Sequence, residues 1–308
     1  AVVAGFSVPV IGDIPSGPAA TPVTAPVPTL PARKEETITD RVATTRLYRT
    51  WVVPGLNDPS NVPLAIGASV LGGLASSRLD NALVRREKLA IQVSASLQSF
   101  AQVSQFEVVA DVKPGTDPAL VAQRLDAIIA ELIATGPSAA ELRRAVTQNA
   151  AATVKSLEPV GGKAATLAEG LLYSGDPDKY AKDLAAYAAA TPASVRAAMA
   201  KWLTRPVYAL TVKPGAREAY VEARPVPKTA PATAAAPVAV VKRMAAPPVA
   251  EIAALRFPQV THAQLSNGIE VIYAQRSAVP VTAVALSFDA GVASDPLDRQ
   301  GMTTLMTS

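Results

Sequence analysis

Apolar and polar residues alternate from Leu89 to Leu97. Leu89, Ile91, Val93, Ala95 and Leu97 take one phase, and Ala90, Gln92, Ser94 and Ser96 the other. A period of two predicts a strand with one buried face. Phe106, Val108, Ala110 and Val112 repeat the pattern, and the link Gln98–Val103 predicts an antiparallel hairpin between the two runs. Upstream, Arg46–Val53 sets Tyr48, Thr50 and Val52 against Leu47, Arg49, Trp51 and Val53, and Pro54 ends it. Pro206–Val212 is a further strand, with Tyr208, Leu210 and Val212 on one side.

Between these runs the apolar spacing changes to the helical period. Pro63–Leu71 is a helix stopped by Gly72-Gly73. Ser77-Arg78-Leu79-Asp80 reads as a capping box opening a helix from about Arg78 to Lys88. After the turn signal Pro114-Gly115, Asp117 and Pro118 supply an N-cap and an N1 proline for Val121, Leu125, Ile128, Ile129 and Leu132, and Gly136-Pro137 closes that helix. Ser138 to Glu141 is a second capping box, for a helix to about Leu157; Gly161–Tyr173 follows, then a helix opened by Asp176-Pro177. Thr191-Pro192 opens the last, with Val195, Met199, Trp202 and Leu203 on its buried face. Strand, helix, hairpin, five helices, strand predicts an α+β fold: a two-layer arrangement of an antiparallel sheet with helices on one face.

Two Pro- and Ala-rich stretches, 18–40 and 215–257, read as extended linkers. Before the first, AVVAGF has strand character. After the second, Leu265-Ser266-Asn267-Gly268 is a tight-turn signal before a strand Ile269–Tyr273. Val284, Leu286 and Phe288 predict another strand, and a helix is expected near Gly301.

Composition narrows the chemistry. Of 308 residues 49% are hydrophobic but only 5% aromatic, so the core must be aliphatic. The net charge of +4 is scattered. Its densest cluster, Arg85, Arg86 and Lys88, is interrupted by Glu87 and lacks aromatic neighbours, which fits a solvated helix end better than a nucleic-acid surface. The absence of cysteine removes disulfides and thiolate metal sites. No run of about 18 apolar residues is free of proline or charge, so no membrane span is expected. Pro9 and Pro15 interrupt an N-terminus without a basic region, so no signal peptide is expected and the chain is read as an internal piece of a longer protein.

The segment Gly72-Gly73-x-x-Ser76-Ser77-Arg78-Leu79-x-x-x-Leu83, followed by a strand, resembles the non-catalytic C-terminal domain of the M16 zinc metallopeptidases, the pitrilysin and insulinase class. The likeness runs from about Asp40 to Pro214 and implies an M16-type, LuxS/MPP-like domain. Gly12 to Pro18 resembles the exit of an M16 catalytic domain, and the stretch from Leu265 to Pro296 is similar to the opening of an N-terminal-type domain. The implied partition is 1–17, end of an N-terminal-type domain; 18–40, linker; 41–214, the C-terminal-type domain; 215–257, linker; 258–308, start of a second N-terminal-type domain.

The family's reaction is zinc-assisted peptide hydrolysis, carried by a His-x-x-Glu-His helix and a distal carboxylate. This chain has a single histidine, His262, which reads as an ordinary linker or strand-edge residue. The resemblance therefore implies that the zinc belongs to the parent protein outside this chain, that these residues bind none, and that none of them is catalytic. Some relatives also use an Arg and a Tyr, seven apart, to assist the substrate carbonyl. Here those positions are Val84 and Ile91, both apolar, and Arg85 lies one residue off, turned about 100° round the helix. Gly72 and Gly73 stand where processing-peptidase relatives carry a glycine-rich substrate loop; a helix C-cap is the plainer reading, and substrate binding the alternative. Glu107 and Asp111 share a strand face, either as an acid pair or as solvated charges, while Lys213 and Arg217 read as surface charges. The expectation is the chamber-forming part of a zinc-dependent metalloendopeptidase acting on peptides or unfolded polypeptides. Its partner would be the other M16 half, in cis or as a separate subunit, and its location the periplasm or cell envelope. The alternative is a catalytically inactive M16-fold partner or scaffold subunit. No nucleic-acid partner is expected.

Overall fold

The computed structural model describes residues 26–217, 257–275, 280–288 and 290–307. The readings placed on AVVAGF, on Gly12 to Pro18 and on most of the 215–257 linker lie outside the described residues. Five strands form one sheet: β1 Lys34–Asp40, β2 Arg46–Pro54, β3 Ala90–Gln98, β4 Val103–Val112 and β5 Tyr208–Pro214, in the order β1-β5-β2-β4-β3. β3 and β4 form the expected hairpin, and β2 pairs antiparallel with both β4 and β5. β1 departs from the reading of 18–40 as a linker: it runs parallel to β5, from Lys34 opposite Tyr208 to Asp40 opposite Pro214. Its partner lies far along the chain, so no local pattern announces the pairing.

The inner face carries the residues the alternation selects. Leu47, Val53, Phe106, Val108 and Ala110 are fully buried, and Trp51 meets Phe106 edge-on at 6.1 Å. Burial of each large apolar side chain is worth about 1.5–3 kcal/mol. Three helices cover this face: α1 Asn61–Ala68, α2 Pro118–Thr135 and α6 Pro192–Leu203. All five periodic residues of α2 are buried, and Asp117 caps it by accepting from the Ala119 amide at 2.9 Å. Thr191 and Ser194 form a reciprocal cap at the start of α6, and the Trp202 indole donates to Ser60 Oγ at 3.1 Å. Arg49 shares the buried face of β2, 3% exposed. Its guanidinium reaches Asp126 of α2 at 2.7 and 3.3 Å and the Tyr48 carbonyl at 3.0 Å, so the charge is matched where it is desolvated.

The remaining helices behave differently. α3, Ala139–Ser156, starts with the expected capping box, in which Ser138 Oγ and Glu141 each satisfy the other's amide. α4, Val160–Ser174, buries only Gly170, and α5, Lys179–Ala189, buries no residue. Val160 is 88% and Leu172 73% exposed, with Leu171 exposed beside them.

Beyond the sheet, β6 Val260–Gln264 and β7 Glu270–Ala274 form a hairpin. Gly268 turns it at φ 89°, the left-handed backbone the Asn267-Gly268 signal requires. A short helix, α7 Met302–Thr307, lies where one was expected near Gly301. The strand expected at Val284, Leu286 and Phe288 does not form, and all three side chains are exposed. A strand needs a neighbour to satisfy its backbone, and no partner strand stands beside this one among the described residues.

Candidate functional site

The motif region folds around two wide helical segments. α1 runs on into π turns at Ser69–Gly73, and a second π segment spans Asp80–Arg86. Such turns are rare and concentrate at functional sites. The loop Leu74 to Ser77 joins them. Neither Gly72 nor Gly73 adopts positive φ, so the helix does not end on a left-handed glycine cap; the chain turns extended one residue later, at Leu74. Gly72 is there for contact. A Cβ at this position would stand 2.5 Å from the Ala95 amide nitrogen and 2.7 Å from the Ser94 carbonyl carbon, so only glycine lets the helix press onto β3. Gly73 has room, its nearest neighbours being 3.5 Å away, and is exposed at the lip of the loop.

The second half of the expected capping box at Ser77 is missing. Ser77 Oγ accepts from the Asp80 amide at 3.4 Å, but the Asp80 carboxylate turns to Arg85 Nε at 2.5 Å. Arg85 also donates to the Ala75 carbonyl at 3.2 Å, which clamps the loop to the helix. The cluster read as a solvated helix end thus has specific partners. Arg86 donates to the Asn81 carbonyl at 3.2 Å, and Glu87 receives Arg124 at 2.5 and 3.0 Å, which holds the Glu87 carboxyl below its ordinary range. Lys88 takes φ 53° to turn the chain into β3. Arg78 forks onto Glu141 at 2.8 and 3.0 Å and reaches the Gly136 carbonyl at 3.0 Å. Chiefly through Arg78, the Glu141 carboxyl falls to about 2. The sequence assigned Glu141 to its local cap; its second role, tying α3 to the motif helix, needed the tertiary structure.

A shallow cleft of about 720 Å³ opens beside this loop, lined by Leu74, Ala75 and Ser76 with Arg85, Arg143 and Arg144. Arg143 and Arg144 are exposed and carry no ion pair among the described residues. The lining offers cationic donors above an apolar floor, suited to the carbonyls and carboxylates of a peptide.

The other sequence candidates do not assemble into a reacting centre. Val84 packs against the core, whereas Ile91 is 52% exposed, so the two point into different surroundings. A register shift between Ala90 and Gln92 accounts for Ile91. The extra residue breaks the alternation there, burying Ala90 and leaving Val93, Ala95 and Leu97 as the inward set. Asp111 is bound by Arg46, and Glu107 accepts from Gln105 at 3.1 Å, so the two carboxylates have separate partners. Lys213 is exposed, and Arg217 stands 3.9 Å from Asp40. His262 Nδ1 faces Glu270 Oε1 at 3.0 Å across the β6–β7 hairpin, both largely exposed. One imidazole and one carboxylate do not fit a zinc site, which takes at least three protein ligands. Among the described residues no group of three or more His, Asp or Glu side chains converges.

Residues 6–149 match the family model described as the peptidase M16 inactive domain. No match was found among curated proteins. The fold is similar to a peptidase M16 inactive domain from Pseudomonas fluorescens, at TM-score 0.56 and 18% identity over 66% of this chain and 48% of that one. A protease from Helicobacter pylori gives TM-score 0.56 and 18% identity, over 61% and 46%. The periplasmic protease PqqL from Escherichia coli gives 0.50 and 17%, over 65% and 22%. The chain thus spans less than half the length of these structures, and at such identities the likeness speaks for the fold.

Proposed function

We propose that this chain, whose residues 6–149 match the peptidase M16 inactive domain, is the enclosing, non-catalytic part of a zinc-dependent metalloendopeptidase acting on peptides or unfolded polypeptides. In this reading residues 41–214 are the C-terminal-type domain, with partial neighbours at 1–17 and 258–308, and the zinc is held elsewhere in the parent protein. The observation that carries the reading is the outward face of α4. Val160, Leu171 and Leu172 are exposed on a helix that buries only a glycine. Apolar surface gains about 25 cal/mol per Å² when covered, so such a face favours a second body, here the other M16 half. Gly73 and the loop Leu74 to Ser76, beside Arg143 and Arg144, are the part of this domain placed to touch substrate. The periplasmic relative supports an envelope location.

The test is the parent protein carrying Leu171→Asp and Leu172→Asp together. Zinc content and circular dichroism should stay unchanged while kcat/KM on a quenched peptide falls about tenfold, equivalent to ~1.4 kcal/mol of lost pairing. Unchanged cleavage would remove the assignment of this face. Residues 1–308 alone should bind no stoichiometric zinc; one tightly held ion per chain would contradict the placement of the metal.

A second reading, an inactive scaffold subunit, fits Val84 and Ile91 equally well, since they put no polar group at the carbonyl-assisting positions. A parent without zinc or cleavage that still forms a stable complex would establish it.

A further inference from the structure

A second cavity, remote from the glycine loop, has its own chemistry. It encloses about 500 Å³ between the β3–β4 connection and the α4–α5 pair, within the range of ligand pockets. Phe100, Tyr173 and Tyr180 line it, and Phe100 is 56% exposed at its mouth. Among the described residues, Trp51 and Phe106 form the ring pair, so none of these three rings is spent on another aromatic.

The lining charges divide sharply. Lys179 and Asp183, one turn apart on α5, form an ion pair and neutralise each other. Asn61 and Ser99 are likewise committed to one another, at 3.1 and 3.3 Å. Glu169 has neither ion pair nor hydrogen bond among the described residues. Ser174 Oγ is buried without a partner. What remains unspent is one carboxylate, the hydroxyls of Ser174, Tyr173 and Tyr180, and three aromatic faces: hydrogen-bonding oxygens and π surfaces, with no free cation.

We infer that this cavity binds the arginine side chain of an extended peptide, with the guanidinium paired to Glu169 and stacked among Phe100, Tyr173 and Tyr180. A cation is attracted to an aromatic face, and a guanidinium does this better than an ammonium because it is planar and more weakly hydrated. Its five donors also suit a carboxylate and a hydroxyl at once. The inference stands apart from the peptidase reading, since it needs neither zinc nor the other half.

The experiment titrates the full chain 1–308 with acetyl-Ala-Ala-Arg-Ala-Ala-amide and its norleucine and glutamate counterparts. Amide shifts of Gly170 and Ser174 are the readout. The arginine peptide should saturate and bind at least about fivefold tighter than the norleucine peptide, with the glutamate peptide weakest. Glu169→Gln should weaken the arginine peptide about fivefold while leaving the norleucine peptide unchanged, and Phe100→Ala should weaken it about threefold. Both positions are exposed, so the fold is not at stake. Raised salt should weaken the wild type and not Glu169→Gln. Equal binding of arginine and norleucine peptides, indifference to Glu169→Gln, or no shift with any peptide would each overturn the assignment.

Discussion

Helices α2 and α4 are similarly rich in apolar residues yet have opposite fates. In α2, Val121, Leu125, Ile128, Ile129 and Leu132 fall on one stripe against the sheet, and all are buried. In α4, Val160, Leu171 and Leu172 face outward, and only Gly170 is buried. Gly170 shows how α4 is held: a Cβ there would meet the Asp176 carbonyl at 2.6 Å, so the helix is anchored by backbone proximity to the turn that follows it. The sheet with α1, α2 and α6 is therefore where stability resides. The α4–α5 pair exposes apolar surface that stabilises this domain little and is available to something else.

The largest effect should come from the buried side of that contrast. Asp126→Ala strands the guanidinium of Arg49 beneath α2 and should cost about 3–5 kcal/mol in urea unfolding. A loss under ~1 kcal/mol would mean the sheet–α2 contact is not the centre of stability. Next is Gly72→Ala, whose methyl must displace the β3 backbone rather than a flexible side chain. It should cost about 1–3 kcal/mol. The more tolerant Gly73→Ala, with neighbours at 3.5 Å, should cost less than half as much.

Arg78→Ala should lose about 1–3 kcal/mol near neutral pH, as expected for hydrogen bonds to a charged group. It should also change the acid limb. Glu141 folds with its carboxyl near 2, below the ordinary 4.5. Its contribution is therefore complete above about pH 4.5 and is lost as the pH falls through 2. The wild type should approach the variant in stability across that window, followed by urea midpoints at several pH values. A constant difference would refute the link between Arg78 and that depressed value.

The smallest effects belong to the exposed side. Leu172→Ala should change the stability of the isolated chain by less than ~0.5 kcal/mol. A cost as large as that of a core truncation would show that α4 packs internally after all. Ile91→Thr, at the bulge, should be equally mild.

Local chemistry carried much of the fold in advance. Asp117 with Pro118, Ser138 with Glu141 and Thr191 with Pro192 place helix starts because each signal is complete within four residues. The alternation in β2 and β4 separated the two faces and set Arg49 with Leu47, Trp51 and Val53, since the pleat has a fixed period; which face is buried came from the fold. The candidate site was less legible. Gly72 was visible as a glycine, but its reason, β3 pressed against it, was not. The clamp by Arg85 and the fork of Arg78 onto Glu141 are likewise unions of distant segments.

The sequence by itself determined the capped helices and the alternation of the strands. Only the tertiary structure decided that Lys34–Asp40 closes the sheet beside Tyr208–Pro214, that Ile91 slips outward at a bulge, and that α4 turns Leu171 and Leu172 to solvent. The reason is the range of the forces concerned. Caps and periodicity are satisfied by neighbours in the chain, whereas strand pairing, close backbone approach and the covering of an apolar stripe depend on segments the chain brings back from far away.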